Sequence, residues 1–128
     1  MTKRILVVDD QVSMRDMLTD MLEILGYEAA AAESGQQALS RLGGESFHLV
    51  IADLNMPRMD GMALLGHIKQ SWPGLPVVII TGYRTVHTER KILQKGADGF
   101  IPKPCTMKRV KDIVANALKV EAAASHSE

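Results

Sequence analysis

Ile5-Leu6-Val7-Val8-Asp9-Asp10 is an apolar run that stops on two acids, and Leu49-Val50-Ile51-Ala52-Asp53 repeats the pattern with one. A short continuous apolar run of this kind fits a strand buried on both faces, as found inside parallel sheets. An acid at its end marks where the strand leaves the core. In an open parallel sheet the carboxyl ends of the strands line the ligand crevice. Asp9, Asp10 and Asp53 are therefore expected to meet in one pocket. Carboxylates that close repel one another unless a cation sits among them, and hard oxygen ligands suit Mg²⁺.

Outward from these two runs, strand candidates alternate with helical patterns. Strands are expected at 4–8, 27–32, 47–52, 76–80 and 99–101. Met14, Met17, Leu18, Met21, Leu22 and Leu25 recur at three and four, one face of a first helix. Ser13 is its expected N-cap, with Asp16 three residues on, and Gly26 its end. Ser34 with Gln37 reads as a capping box for the second helix, stopped at Gly43-Gly44. Asp60 is placed to cap a third helix carrying Leu64, Leu65 and Ile68, which ends before Trp72-Pro73-Gly74. A fourth, over 85–95, has the sparse apolar set Val86, Ile92 and Leu93, and Gly96 closes it. The fifth carries Met107, Val110, Ile113, Val114, Ala117 and Leu118.

Strand-helix units in series imply an α/β protein with a parallel sheet covered on both faces and right-handed crossovers. The expected architecture is a flavodoxin-like, doubly wound (βα)5 sandwich with strand order 2-1-3-4-5. Its topological switch point lies between the first and third strands, the two that end on Asp9, Asp10 and Asp53. A chain of 128 residues is one domain with one hydrophobic core by the usual length prior. The domain is expected over 1–120. The Ala- and Ser-rich stretch 121–128 reads as a flexible tail or the start of a linker.

Zero net charge argues against a general nucleic-acid binder. The charge is unevenly placed: acids outnumber bases ten to five over residues 1–60, and bases outnumber acids nine to three over 84–119. The basic half reads first as a solvated helical face, and second as a docking face for an acidic partner. The single cysteine, Cys105, excludes an internal disulfide and any multi-cysteine metal site. No apolar run approaches a membrane span and no signal-peptide pattern opens the chain, so a cytoplasmic protein is expected. His48, His67, His87 and His126 show no ligand spacing.

Two further groups fall at strand ends: Thr81 after Val77-Val78-Ile79-Ile80, and Lys103 after Phe100-Ile101-Pro102. Three acids, a hydroxyl and an ammonium form a kit for phosphoryl transfer to a carboxylate. The acids hold a divalent cation, one of them serves as nucleophile, and the hydroxyl and ammonium bind the oxygens of the transferred group. The motifs Val-Val-Asp9-Asp10, Asp53-Leu-Asn55-Met-Pro57-Arg-Met-Asp60-Gly61, Ile-Thr81-Gly82-Tyr83 and Lys103-Pro104 resemble, in order and spacing over residues 3–119, the receiver domain of two-component response regulators.

The resemblance implies that Asp53 accepts a phosphoryl group from a sensor histidine kinase or a phosphotransfer protein. It implies Mg²⁺ held directly by Asp10, Asp53 and the backbone carbonyl of Asn55, with Asp9 acting mainly through metal-bound water. Thr81 and Lys103 would each hold a phosphoryl oxygen. Phe100 stands at the family's switch aromatic, and the fourth helix, fifth strand and fifth helix would form the switching surface. Weak autophosphorylation and autodephosphorylation are implied, not turnover of metabolites. A phosphorylation-dependent homodimer through the basic surface is a hypothesis, as is slow autodephosphorylation with Tyr83 as a shield. Lys103-Pro104 is a candidate cis peptide.

Cys105 reads as a small buried filler; the alternative is a redox thiol whose thiolate the nearby positive charge would favour. Two other functions compete with this reading. A Mg²⁺-dependent phosphatase of the haloacid dehalogenase type needs an acid where Asn55 stands. A receiver piece of a larger transcription activator is compatible with Ile-Thr81-Gly82-Tyr83, although the chain has no P-loop or helix-turn-helix of its own.

Overall fold

The acid-terminated runs are adjacent central strands of a five-stranded parallel sheet with order β2-β1-β3-β4-β5. The structure, a computed structural model, describes residues 2–82 and 86–126, and the side chains of 2–82 and 88–119. Along the chain the elements are β1 (Arg4–Val8), α1 (Val12–Ile24), β2 (Glu28–Ala32), α2 (Gly35–Gly44), β3 (Leu49–Asp53), α3 (Gly61–Ser71), β4 (Val77–Thr81), α4 (Val86–Gln94), β5 (Gly99–Pro102) and α5 (Met107–His126). This is the fold expected from the sequence, with strand ends displaced by a residue or two. The fifth helix continues to His126, into the stretch read as a tail.

Position in the sheet explains composition. β3 and β4 are buried along their whole length and β1 at every residue but Arg4. β2, at one edge, is Glu-Ala-Ala-Ala-Ala. Alanine has little intrinsic strand preference. β2 is a strand because its backbone pairs with β1 from Arg4↔Glu28 to Val8↔Ala32.

Length alone implies one core, but the sheet divides it in two, because alternate residues of a strand face opposite sides. Leu6, Val8, Val50, Ala52, Val77 and Ile79 pack against Ala38 and Leu42 of α2, Leu64, Leu65 and Ile68 of α3, and Ile92 of α4. Ile5, Val7, Leu49, Ile51, Val78 and Ile80 pack against Leu18 and Leu22 of α1 and Val110, Val114, Ala117 and Leu118 of α5. The crevice of acids is therefore built on strands clamped from both faces.

The helix ends follow their caps in two of three cases. Ser34 Oγ accepts the Gln37 N–H at 3.1 Å, and Asp60 Oδ1 accepts the Ala63 N–H at 2.8 Å. The Gln37 side chain reaches back to the Glu33 N–H rather than to that of Ser34, so the box closes one residue early. Ser13 is not the cap of α1: the helix starts at Val12 with Gln11 as N-cap and no side-chain cap bond. The reason is Asp9, whose Oδ1 accepts the Gln11 N–H at 2.9 Å and turns the chain into the helix straight from the strand. Gly26 (φ 95°) and Gly96 (φ 101°) close α1 and α4 in the left-handed region that glycine enters without strain.

The opposite rim of the sheet is held by charge. Glu45 pairs with Arg4 at 2.8 Å and Arg41 at 2.9 Å, and both guanidiniums lie over the Phe47 ring. Asp98 Oδ2 accepts from Lys69 Nζ at 2.9 Å and the Val77 N–H at 2.8 Å, anchoring the start of β4.

Candidate phosphoacceptor site

Strand register assembles the site. Val8 pairs with Ala52, so Asp9 leaves β1 beside Asp53, the last residue of β3. Asp53 pairs with Ile80, so Thr81 stands one step beyond it on β4. Thr81 pairs with Pro102, and Lys103 follows. The Lys103 N–H donates to the Thr81 carbonyl at 2.9 Å, across the last rung of the β4–β5 ladder. Four neighbouring strands thus deliver the predicted residues to one rim.

One carboxylate oxygen from each of Asp9, Asp10 and Asp53 lies within 4.8 Å of the others. Asp9, Asp53 and Thr81 are buried, at 1%, 4% and 1% exposure, whereas Asp10 is exposed. Asp10 lines an open crevice of about 630 Å³ with Ser34, Pro57 and Arg58, which leaves it reachable from solvent. Lys103 Nζ lies 3.1 Å from Asp53 Oδ1. Among the described residues that oxygen nevertheless accepts no directed hydrogen bond, and neither does Asp9 Oδ2. The lysine contact is one of charge rather than of aligned donor and acceptor. Burial raises the carboxyl of Asp9 above its ordinary value; the charges of Asp53 and Asp10 push the same way, against the Gln11 N–H and the Lys103 charge.

This is the donor set of a hard divalent cation. Three carboxylates converge, two buried oxygens lack hydrogen-bond donors among the described residues, and burying such groups without compensation is costly. The residues fit Mg²⁺.

Gly61 sets the floor. A Cβ there would stand 2.5 Å from the Asp53 carbonyl oxygen and 2.8 Å from Leu54 Cα. The first turn of α3 therefore rests directly on the backbone that carries Asp53, and the Gly61 N–H donates to the Leu54 carbonyl at 2.9 Å. Arg58, in the loop between them, has φ 68°, uncommon for a residue with a side chain.

Some sequence-singled residues lie elsewhere or behave differently. Phe100 is half-buried on β5 and lines a shallow groove with Glu89, Arg90 and Leu93 of α4, away from the acids. Asn55 is exposed beside Leu54 and Asp60. Tyr83 and Arg84 lie outside the described residues. Lys103-Pro104 is cis. The redox reading of Cys105 meets opposition: burial pushes its thiol up, and the opposing charge of Lys103 does not overcome it. The Nδ1 of His48 accepts the Arg4 backbone N–H at 2.9 Å, a structural role. Two contributors were missed. Gln11 shapes Asp9 through its N–H, and Arg15 Nη1 donates to the Asp9 carbonyl at 2.7 Å. An arginine one turn into the helix that follows an acid pair was the available signal.

The profile of the response regulator receiver domain matches residues 5–115, and the chain belongs to that family. It is 39% identical over 115 residues to the response regulator protein FleR of Pseudomonas aeruginosa, covering 90% of this chain and 24% of FleR. It is 40% identical over 114 residues to the transcriptional regulatory protein ZraR of Escherichia coli (strain K12), covering 89% of this chain and 26% of ZraR. Among solved structures, NtrX from Brucella abortus superposes with a TM-score of 0.93 at 34% identity, over 99% of this chain and 29% of NtrX. The chain spans about a quarter of the length of these curated relatives. Receiver domains of this family generally bind Mg²⁺ and pair with sensor histidine kinases. Among the described residues no helix is long and apolar enough to cross a membrane.

Proposed function

We propose that Asp53 is the phosphoacceptor of this receiver domain, and that phosphorylation there resets the surface formed by α4, β5 and α5. The observation that carries this is the buried Asp53 carboxylate gathered with those of Asp9 and Asp10 and with the Lys103 ammonium 3.1 Å away. A carboxylate oxygen of Asp53 attacks the phosphorus of a phosphohistidine. The P–O bond forms as the P–N bond breaks, and the imidazole nitrogen leaves with the electron pair. Lys103 is within reach of the incoming oxygens, and Thr81 stands one register step from the acceptor. Burial at the end of β3 keeps the acceptor in a medium of lower dielectric than water, where these charges act more strongly.

Asp10, Asp53 and the Asn55 carbonyl would hold Mg²⁺, with Asp9 acting through its water. The ion supplies charge neutralisation for the acids and the transferred group. Phe100, half-buried beside α4, would couple Thr81 to the outer surface. The partner that delivers the phosphoryl group would be a sensor histidine kinase or a phosphotransfer protein. The coverage of FleR and ZraR favours a second reading of context, in which this is the receiver unit of a larger regulator.

Intact mass after incubation with Mg²⁺ and acetyl phosphate tests the assignment. A gain of one phosphoryl group in the parent, absent from Asp53→Asn and abolished by EDTA, is the expected result. No gain in a folded, Mg²⁺-binding parent would overturn it.

A further inference from the structure

We infer that Arg15 is a positioning residue for the metal site, acting through the main chain of Asp9 rather than through its own charge. The inference rests on the reading of Asp9 and Asp10 as metal-site acids.

The polar atoms of Asp9 are almost all committed. Its N–H donates to the Ala32 carbonyl at 3.1 Å, which fixes it to the end of β2. Its Oδ1 accepts the Gln11 N–H at 2.9 Å. Its carbonyl oxygen accepts from Arg15 Nη1 at 2.7 Å, a short, charge-assisted bond. Oδ2 is left as the buried oxygen without a hydrogen bond among the described residues. Three bonds, one to the end of β2 and two to α1 and its N-cap, therefore hold the backbone and one carboxylate oxygen of Asp9.

The Arg15 bond does the most for Asp10. The Asp9 carbonyl and the Asp10 N–H belong to one planar peptide unit. Fixing the carbonyl fixes the plane, and the plane sets the direction in which Asp10 leaves the backbone. Asp10 is exposed, so packing does not hold its side chain. Its place near the other acids therefore depends on the peptide before it. Arg15 is half-buried in the first turns of α1, whose helical bond from the Arg15 N–H to the Gln11 carbonyl is 3.1 Å. The guanidinium is thus anchored on a rigid element. Groups that orient metal ligands without touching the ion commonly matter tenfold to a hundredfold in affinity.

Charge and geometry predict opposite signs, which makes the inference decidable. A guanidinium beside an acidic site repels an incoming cation, so removing its charge alone tightens Mg²⁺ binding. Removing the orientation of the Asp9–Asp10 peptide weakens it. Titration of Mg²⁺ into the parent, Arg15→Ala and Arg15→Lys by calorimetry separates the two. The expected result is about tenfold weaker binding for Arg15→Ala, with Arg15→Lys in between. Unfolding in EDTA is followed alongside to show that the variants fold. If Arg15→Ala does not fold, Arg15→Met, which keeps the apolar stem and loses the donors, takes its place with the same outcomes. Equal or tighter binding by the donor-less variant, in a parent that binds Mg²⁺, overturns this inference alone. A parent that binds no Mg²⁺ overturns the metal-site reading and this inference with it.

Discussion

Lys103 Nζ stands 3.1 Å from Asp53 Oδ1, in contact by charge without a directed hydrogen bond. The lysine side chain is 31% exposed and the aspartate 5%, so the cation sits at the mouth and the acid at the base. That arrangement leaves the ammonium free to turn toward an incoming phosphoryl oxygen. Lys103→Met is expected to slow phosphorylation from acetyl phosphate about a hundredfold, the usual scale for losing one preorganised electrostatic partner. Mg²⁺ affinity should not fall, since a competitor for Asp53 has been removed. Mass spectrometry and calorimetry on the same variant check both halves.

Asp9 is buried with its carboxyl raised above the ordinary range, chiefly by burial. A raised acid binds its proton more readily in the folded than in the unfolded chain. Its ionisation therefore costs stability as pH rises from the unfolded value through the folded one, and the full cost is present at neutral pH. Asp9→Asn should stabilise the metal-free domain at pH 7 by about 0.5–2 kcal/mol. The gain should shrink as pH falls toward 4. Urea midpoints in EDTA at several pH values would show whether it does.

Gly61 carries no side chain because the Asp53–Leu54 backbone occupies the space. The blocking atoms are main chain and cannot swing aside. Gly61→Ala should cost about 1–3 kcal/mol, the scale of overpacking, and should reduce phosphorylation by shifting the acceptor. An alanine variant with parent stability and parent phosphorylation would refute the close packing.

Asp60 belongs to the same loop but does a different job, accepting the Ala63 N–H at the start of α3. Asp60→Ala should lose about 1 kcal/mol as a missing cap while still accepting a phosphoryl group. Thermal unfolding combined with intact mass separates the two properties.

At the far rim Glu45 is held down to about 2 by hydrogen bonds from Arg41 and Arg4. A lowered acid stabilises the folded chain above its unfolded value, here ordinarily near 4.5, and the contribution is lost as pH falls through about 2. Glu45→Gln should therefore be less stable than the parent at pH 7, and the gap should close progressively below pH 4.5. The pair is partly solvent-exposed, so added salt should narrow it as well.

The sheet was legible because its central strands are buried on both faces, and that demands the uninterrupted apolar runs seen in β1, β3 and β4. The acids that end two of those runs, Thr81 at the end of the third and Lys103 after β5 made the rim legible too. What the sequence concealed were contacts through the backbone. Ser13 looked like a cap, yet the side chain of Asp9 starts the helix two residues earlier by taking the Gln11 N–H. Arg15 belongs to no motif read from the sequence, and its partner is a carbonyl that every residue possesses. Side-chain patterns reveal periodicity and chemistry, whereas a bond to main chain leaves no complementary residue to recognise.

The bond from the Lys103 N–H to the Thr81 carbonyl closes the outermost rung between β4 and β5. A rotation of the Thr81 side chain alone leaves this rung intact, whereas a displacement of the strand edge breaks it. One amide hydrogen therefore distinguishes two ways of transmitting a signal. Retained against deuterium after phosphorylation, it marks a side-chain latch on a still frame; lost rapidly, it marks a frame that flexes as a whole.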